Sequence, residues 1–376
     1  MLREHYLTTS DFELWQKYLP ANRSVFGSVG YARICERYRE SSPRLYVVAS
    51  EHASICYPLL LRSTSDLPFA ARPSAKWDST TPDFTGPLLI GTDDRIVEAF
   101  SGRRDALFQS EKIVAEFAHV HPWSNAEAIL GTQGLAYNRD IIWVDLTLSY
   151  EELWRNQLRY ATRKQIATAS RSGVRIFAAS SDDYLREFQR IYEGTMRRNQ
   201  ALQSYYFPFD FFRAFREELP QNAQFVFAEY KDQIVATMLY LHDDTDVFGF
   251  LGGADAVFQS VRPMNAVIWT TIQWTREAGK KRLILGGGYR PGDGIFHFKS
   301  GFSRLRQPFQ IYRRIHGEQD YAFLERQCCE FYRVAELPPG YFPSYRQTPN
   351  QVDCPQSTEA IMDEHANDNK AKASHA

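Results

Sequence analysis

The chain has 376 residues, with 44 Lys plus Arg against 45 Asp plus Glu and 44% hydrophobic content. A net charge of −1 and a pI near 6.8 exclude a surface given over wholly to nucleic acid or anionic lipid. At this length a chain buries roughly three quarters of the surface it exposes unfolded, so neither disulfides nor metals are needed as staples, and two domains are the default expectation.

The opening MLREHYLTTSDFELWQKYLP lacks the basic cap and apolar core of a signal peptide. The longest apolar run, Tyr57 to Leu61, falls far short of the ~20 residues of a spanning helix. The five cysteines are odd in number and contain no C-x-x-C pair, which disfavours a disulfide framework or a thiolate zinc site. These features predict a cytoplasmic protein with no integral membrane association.

RLYVVAS from Arg44 and SICYPLLL from Ser54 flank a short polar stretch and predict a hairpin. Strands are expected at Gly86 to Ile90 and Ile113 to Val120. The span from Asp66 to Pro87, with four prolines, predicts a loop. IIWVDL from Ile141 predicts a strand, followed by a domain boundary and a helix from about Glu151 to Ser170 that Gly173 ends as a C-cap. A strand at Val174 to Ala178 precedes a helix capped by Ser180 or Ser181, with Leu185, Phe188, Ile191, Tyr192, Thr195 and Met196 on one face. A second aromatic helix near Pro208 to Leu219 leads to strands starting at Phe225, Ile234 and Val247, the first two a hairpin. Pro263 starts a helix reaching Gly279, and Leu283 to Leu285 is a strand running into a glycine loop. After Tyr345 the chain has almost no large apolar residues, so 347–376 is expected to be a disordered tail.

From residue 174 this order is strand, two helices, three strands, helix, strand, short helix, strand, which matches the acetyltransferase-like α/β fold called GNAT. Further markers are VDL at Val144 to Leu146 before ATRKQIATASRSGV, YYFPFDFF from Tyr205, P-x-N at Pro263 and Asn265, the W-T-T-I-Q-W helix, LILGGG from Leu283, and F-H-F-K-S-G-F from Phe296 to Phe302. With these the chain resembles the Fem family of aminoacyl transferases over roughly residues 20 to 345. The resemblance implies an α/β chain with two GNAT-like domains in tandem, each a mixed sheet flanked by helices. The first would span 1–146 and be completed by about 305–346, and the second would span 147–304. It implies direct attack of an amine on an activated carboxyl, with aminoacyl-tRNA the favoured donor and no cofactor or metal. The acceptor would be a small-molecule amine on a cell-envelope or exopolysaccharide precursor.

Lys299 is the first candidate catalytic residue, because aminolysis builds negative charge on a carbonyl oxygen that a fixed ammonium stabilises; the alternative is a surface lysine snorkelling over Phe298 and Phe302. Gly287, Gly288 and Tyr289 belong to a loop that lets backbone approach a ligand. Its spacing is neither a dinucleotide fingerprint nor a P-loop. The Q/R-x-x-G-x-G/A turn by which GNAT proteins bind CoA pyrophosphate is replaced by FQSVRP from Phe258, without glycines. Asn265 is placed to bind substrate or to cap its helix. Trp77 and Asp83 lie in the Pro-rich loop that the resemblance places toward the acceptor, with Asp83 a candidate proton acceptor. Tyr206 is a candidate groove residue or part of an aromatic core. Arg155, Arg159 and Arg163, spaced i, i+4, i+8, together with Lys164, predict a cationic helix face for tRNA or phosphate. His119 and His121 alternate on a strand without a third ligand, and DNA is not an expected partner. Two other readings stay open: an acyl-CoA or acyl-carrier-protein dependent transferase, and a non-catalytic binding module.

Overall fold

A computed structural model of the chain describes residues 2–70, 76–288 and 292–347. The expected tail therefore lies outside the described residues, apart from Gln347. The described residues fall into two compact units: unit 1 takes in those up to Asn138 and from Pro308 onward, and unit 2 those of Arg139–Gln307.

Unit 1 begins with β1 (Arg3–Leu7), α1 (Phe12–Tyr18) and α2 (Val29–Tyr38), then the expected hairpin of β2 (Ser42–Ala49) and β3 (Ala53–Ser63). There follow β4 (Trp77–Thr80), β5 (Leu88–Gly91), α3 (Asp94–Ser110), β6 (Ile113–His119) and α4 (Ala126–Leu130). Strand alternation sorts the hairpin into two cores. Tyr46, Val48, Ile55 and Tyr57 pack with Ile96, Phe100 and Phe108 of α3, while Leu45, Val47 and Cys56 pack with Trp15, Val29 and Ala32 of α1 and α2. Burial pushes the Cys35 and Cys56 thiols up to about 12, so both are inert core groups.

β4 corrects the expectation of a loop from Asp66 to Pro87. It pairs antiparallel with β3 and parallel with β6, inside the sheet. Its WDST sequence hides this, because what stabilises the strand is polar: fully buried Asp78 accepts from Arg62, 2.7 Å, and Arg346, 2.5 Å.

β7 (Leu135–Asp145) leads into α5 (Tyr150–Glu152), a single turn closed by the Ser149/Glu152 capping box. The single helix expected over 151–170 does not form. A π turn spans Leu153–Gln157, Leu158 and Arg159 are extended, and α6 runs Tyr160–Ser172 to a left-handed C-cap at Gly173. β8 (Arg175–Ala178), α7 (Asp182–Arg198), α8 (Phe209–Glu218), β9 (Ala223–Tyr230), β10 (Gln233–His242), β11 (Asp246–Ala254), α9 (Pro263–Glu277), β12 (Arg282–Gly286) and α10 (Gly294–Lys299) follow in the expected order. The unit 2 sheet runs β7-β12-β11-β10-β9-β8. Phe188 and Tyr192 of α7, Phe212 of α8 and Phe225 of β9 form an aromatic core, and Val267, Ile268 and Ile272 of α9 are buried.

β13 (Arg306–Ile315) returns to unit 1, where it pairs antiparallel with β6 from Ile311 to Ile315. α11 (Glu318–Tyr332) then packs Tyr321 and Cys328 with Val114 and Ala115 of β6. Among the described residues no helix is long and apolar enough to cross a membrane.

Candidate active site

β11 and β12 are parallel but pair only at Asp246↔Arg282, Val247↔Leu283 and Phe248↔Ile284. β11 continues to Ala254 alongside β10 alone, so the parallel pair parts at its carboxyl end. Ligands of open α/β sheets bind at that end of parallel strands. Two connections leave from it: β11 leads to the start of α9, and β12 leads into Gly286, Gly287 and Gly288.

Lys299, the last residue of α10, folds back to this place. Its Nζ donates to the Gly287 carbonyl, 2.7 Å, and only 4% of the residue is exposed. It is therefore not a surface lysine snorkelling over the neighbouring rings. Phe298 and Phe302, on either side of it in the chain, are both buried and meet edge to face at 5.4 Å. Asp293 caps α10 by accepting from the Phe296 amide, 2.8 Å, and its carboxylate fills the space beside Gly288 that a Cβ would need. Arg139 holds the Gly288 carbonyl, 2.8 Å. A side chain at Gly301 would lie 2.3 Å from Thr162 Oγ1, and the Gly301 carbonyl accepts from the Arg159 amide, 2.9 Å. The turn after Lys299 is thus pressed against the start of α6. Tyr289 lies outside the described residues.

Asn265, buried in the first turn of α9, donates to Gln165 Oε1 on α6, 3.1 Å, rather than capping its helix. The segment before α9 is a 3-10 turn, Ala256–Val261, followed by Arg262 in the left-handed region at φ 55. The α9 N-terminus has no side-chain cap and no acid in its first turn.

The cationic face predicted from the i, i+4, i+8 spacing is corrected by the break before α6. Arg155 lies in the π turn and pairs with Glu151, 3.1 Å. Arg163 Nη1 donates to the carbonyls of Trp154, Arg155 and Leu158 at 2.9–3.1 Å, tying off the carbonyls that the broken helix leaves open. Arg159 and Lys164 remain exposed. Arg306 lies over the Phe296 ring and donates to Ser300 Oγ, 2.8 Å, and burial, together with the charge of Arg159, holds its guanidinium below its usual value.

Asp83 and Trp77 belong to unit 1. Asp83 is not a loose loop carboxylate: it is buried, and its Oδ2 accepts from Tyr31 Oη, 2.6 Å, and Arg39, 2.8 Å. That engagement corrects its candidacy as a proton acceptor and makes it a tie between α2 and the segment after β4. Trp77 packs on the core under α3. Tyr206 is half-buried after a short turn whose Tyr205 carbonyl accepts from Tyr192, 2.9 Å. His119 stacks on Phe309, and among the described residues no group of three His, Cys, Asp or Glu could hold a metal.

Arg139, Gln165, Asp293 and Arg306 were not anticipated. Asp293 carries a local signal, an Asp before a helical apolar run. Gln165 carries none, because its partner is 100 positions away.

Residues 155–300 match the family model described as an acetyltransferase (GNAT) domain. No curated protein sequence matches the chain. Among solved structures, that of FemX is similar at 13% identity and a TM-score of 0.65, covering 85% of this chain and 99% of FemX. A conserved protein of unknown function from Bacteroides thetaiotaomicron is similar at 11% identity and a TM-score of 0.53, covering 83% of this chain and 99% of its own. At these identities the likeness is one of fold. In unit 1 the order β1, α1, α2, β2, β3, β4, α3, β6, α4 repeats that of unit 2, with β5 added. The chain has the Fem-like tandem GNAT fold, and its match to the GNAT domain model lies within unit 2.

Proposed function

We propose that the protein is an N-acyltransferase whose reaction centre lies in unit 2, where the carboxyl ends of β11 and β12 part. The observation that carries this reading is the buried Lys299 ammonium, bonded to Gly287 at that point. An acceptor amine attacks the carbonyl carbon of an activated acyl group, and Lys299 stabilises the oxyanion that forms. Such a fixed donor is worth ~3 kcal/mol in the transition state. Collapse of the tetrahedral adduct forms the amide and expels the donor alcohol or thiol, while the amine proton passes to the leaving group. Phe298 and Phe302 exclude water and so strengthen the interaction.

Aminoacyl-tRNA is the donor we favour. The glycine-free turn before α9 and the exposed cations Arg159 and Lys164 at the start of α6 support it. The acceptor, an amine on a cell-envelope or polysaccharide precursor, rests on the resemblance to the Fem family. A second reading, transfer from acyl-CoA or an acyl-carrier protein, is favoured by the uncapped, acid-free N-terminus of α9, which suits a phosphate.

The test offers the pure protein labelled charged tRNA or labelled acyl-CoAs with small-molecule amines from its host. Label passing from tRNA into a stable amide is the expected result. Label passing only from CoA replaces the donor and keeps the centre. Transfer from either donor that survives Lys299→Met unchanged removes the lysine from the chemistry. Retention of a ligand without turnover of any donor means a binding module.

A further inference from the structure

We propose that unit 1 carries its own binding site for a small phosphate-bearing ligand. The site is a cavity of about 390 Å³ between the end of α3, the start of β6, the end of β13 and the first turn of α11. That volume lies within the range of roughly 300–1,000 Å³ typical of ligand pockets. Lys76, Lys112 and Arg314 contribute permanent positive charge to its lining, and Asp105 and Asp320 contribute the opposing carboxylates. Both carboxylates are already engaged. Arg314 grips Asp105 through two hydrogen bonds of 3.0 and 2.8 Å, with Arg104 behind at 3.2 Å, and Lys76 pairs with Asp320.

Lys112 is the uncompensated charge: it is exposed on the lining and makes no ion pair among the described residues. Its backbone is the second observation. Lys112 sits just past the end of α3 at φ 57, a left-handed position that glycine ordinarily takes. The backbone is pinned there, its amide donating to Gln109 and its carbonyl accepting from Trp77, both at 3.2 Å. A strained lysine kept where glycine would fit best, on the lip of a cavity with excess positive charge, indicates a use for the ammonium. Arg314, whose fork is held by Asp105, adds positive charge to the wall, and Lys112 supplies the point charge that meets the phosphate. Phe108 and Ile113 line the same cavity as apolar wall, leaving room for more than a bare ion.

The experiment titrates pyrophosphate, and then ADP, into the full chain by calorimetry in low-salt buffer, with three variants alongside. One site that weakens as salt rises is expected, because charge carries it. Lys112→Glu should weaken binding at least about tenfold, the loss of one charge-assisted contact. Lys112→Gly should lose binding too while keeping or raising the melting temperature, since glycine relieves the left-handed strain. Lys299→Met should bind as the parent does. No binding by the parent chain overturns the proposal, as does binding that Lys112→Glu and Lys112→Gly both leave intact, or binding lost in Lys299→Met instead.

Discussion

The two units repeat one order of elements and treat their central parallel strands in opposite ways. In unit 1 the β4–β6 pair carries Asp78 and Glu116, both fully buried charges. Glu116 accepts from Tyr57 Oη, 2.7 Å, contacts His316 Nε2, 2.9 Å, and lies 3.6 Å from Arg104. Asp93 caps α3 and forks with Arg95, so an acid of the chain itself already occupies that helix N-terminus. In unit 2 the β11–β12 pair starts with the Asp246–Arg282 ion pair, 2.6 Å, and continues with Val247 and Phe248 against Leu283 and Ile284, and the corresponding helix, α9, begins with neither cap nor acid. Unit 1 pairs its buried strand carboxylates, Asp78 and Glu116, with its own side chains. Unit 2 keeps an apolar sheet centre and places its buried cation where the strands part. On the proposed reading, the same fold serves in one copy as a frame with its strand carboxylates paired and in the other as the place for chemistry.

The largest effect should come from breaking the unit 1 frame. Arg104→Met leaves Glu116 buried without its cation and should cost about 3–5 kcal/mol in urea unfolding. Adding Glu116→Gln should recover much of that loss, because a neutral pair no longer needs the guanidinium. A double variant no more stable than Arg104→Met alone would mean that Arg104 acts through packing on Tyr312 rather than through charge.

Next in size is Lys299→Met, expected to lower the turnover number by about 10²–10³ with unchanged far-ultraviolet circular dichroism. Glu116→Gln, assayed beside it, should leave turnover per folded molecule near the parent value. Equal losses in both would break the division of labour between the units.

The second GNAT domain was legible because its elements announce themselves: Pro263 opens α9, Gly173 closes α6, and hydrophobic spacing marks α7. The F-K-x-G-F run located Lys299, but only coordinates show that the lysine reaches back 12 residues to Gly287. β4 was illegible because it is a buried polar strand whose partners, Arg62 and Arg346, lie 16 and 268 positions away. The break at Leu153–Gln157 was hidden for the opposite reason. LWRNQ has ordinary helical composition, and what fixes the break is tertiary, the bond from Arg159 N to the Gly301 carbonyl and the three carbonyls gathered by Arg163. A spacing of four reads as one face only where the helix is continuous.

Gly301→Ala tests the close approach that positions the Lys299 turn. The added methyl meets Thr162 Oγ1 and should cost about 1–3 kcal/mol as overpacking. Thr162→Ala should relieve part of it in the double variant, and transfer activity should recover with stability. Additive losses would show that the two segments do not press on each other.

The smallest effect separates the units by pH. His242 is half-buried with its Nδ1 unpartnered, and burial, aided by the charge of Lys280, depresses it to about 4. An unfolded histidine protonates near 6.5, so between 6.5 and about 4 unfolding takes up a proton that the folded imidazole refuses, and stability falls as pH falls. Between pH 7 and 5 the loss should be about 2 kcal/mol. In unit 1, burial raises Glu116, but Arg104 and His316 outweigh it and hold the carboxylate below its usual range. Its contribution is present above the ordinary glutamate value and is lost only as pH falls through the lowered one. Hydrogen exchange resolved by segment should therefore show β10 and β11 loosening before β6 on acidification. His242→Leu should remove the early phase and leave the later one. Simultaneous loosening of both sheets in the parent chain would mean that the units unfold as one cooperative body, and the contrast between frame and site would then be chemical without being energetic.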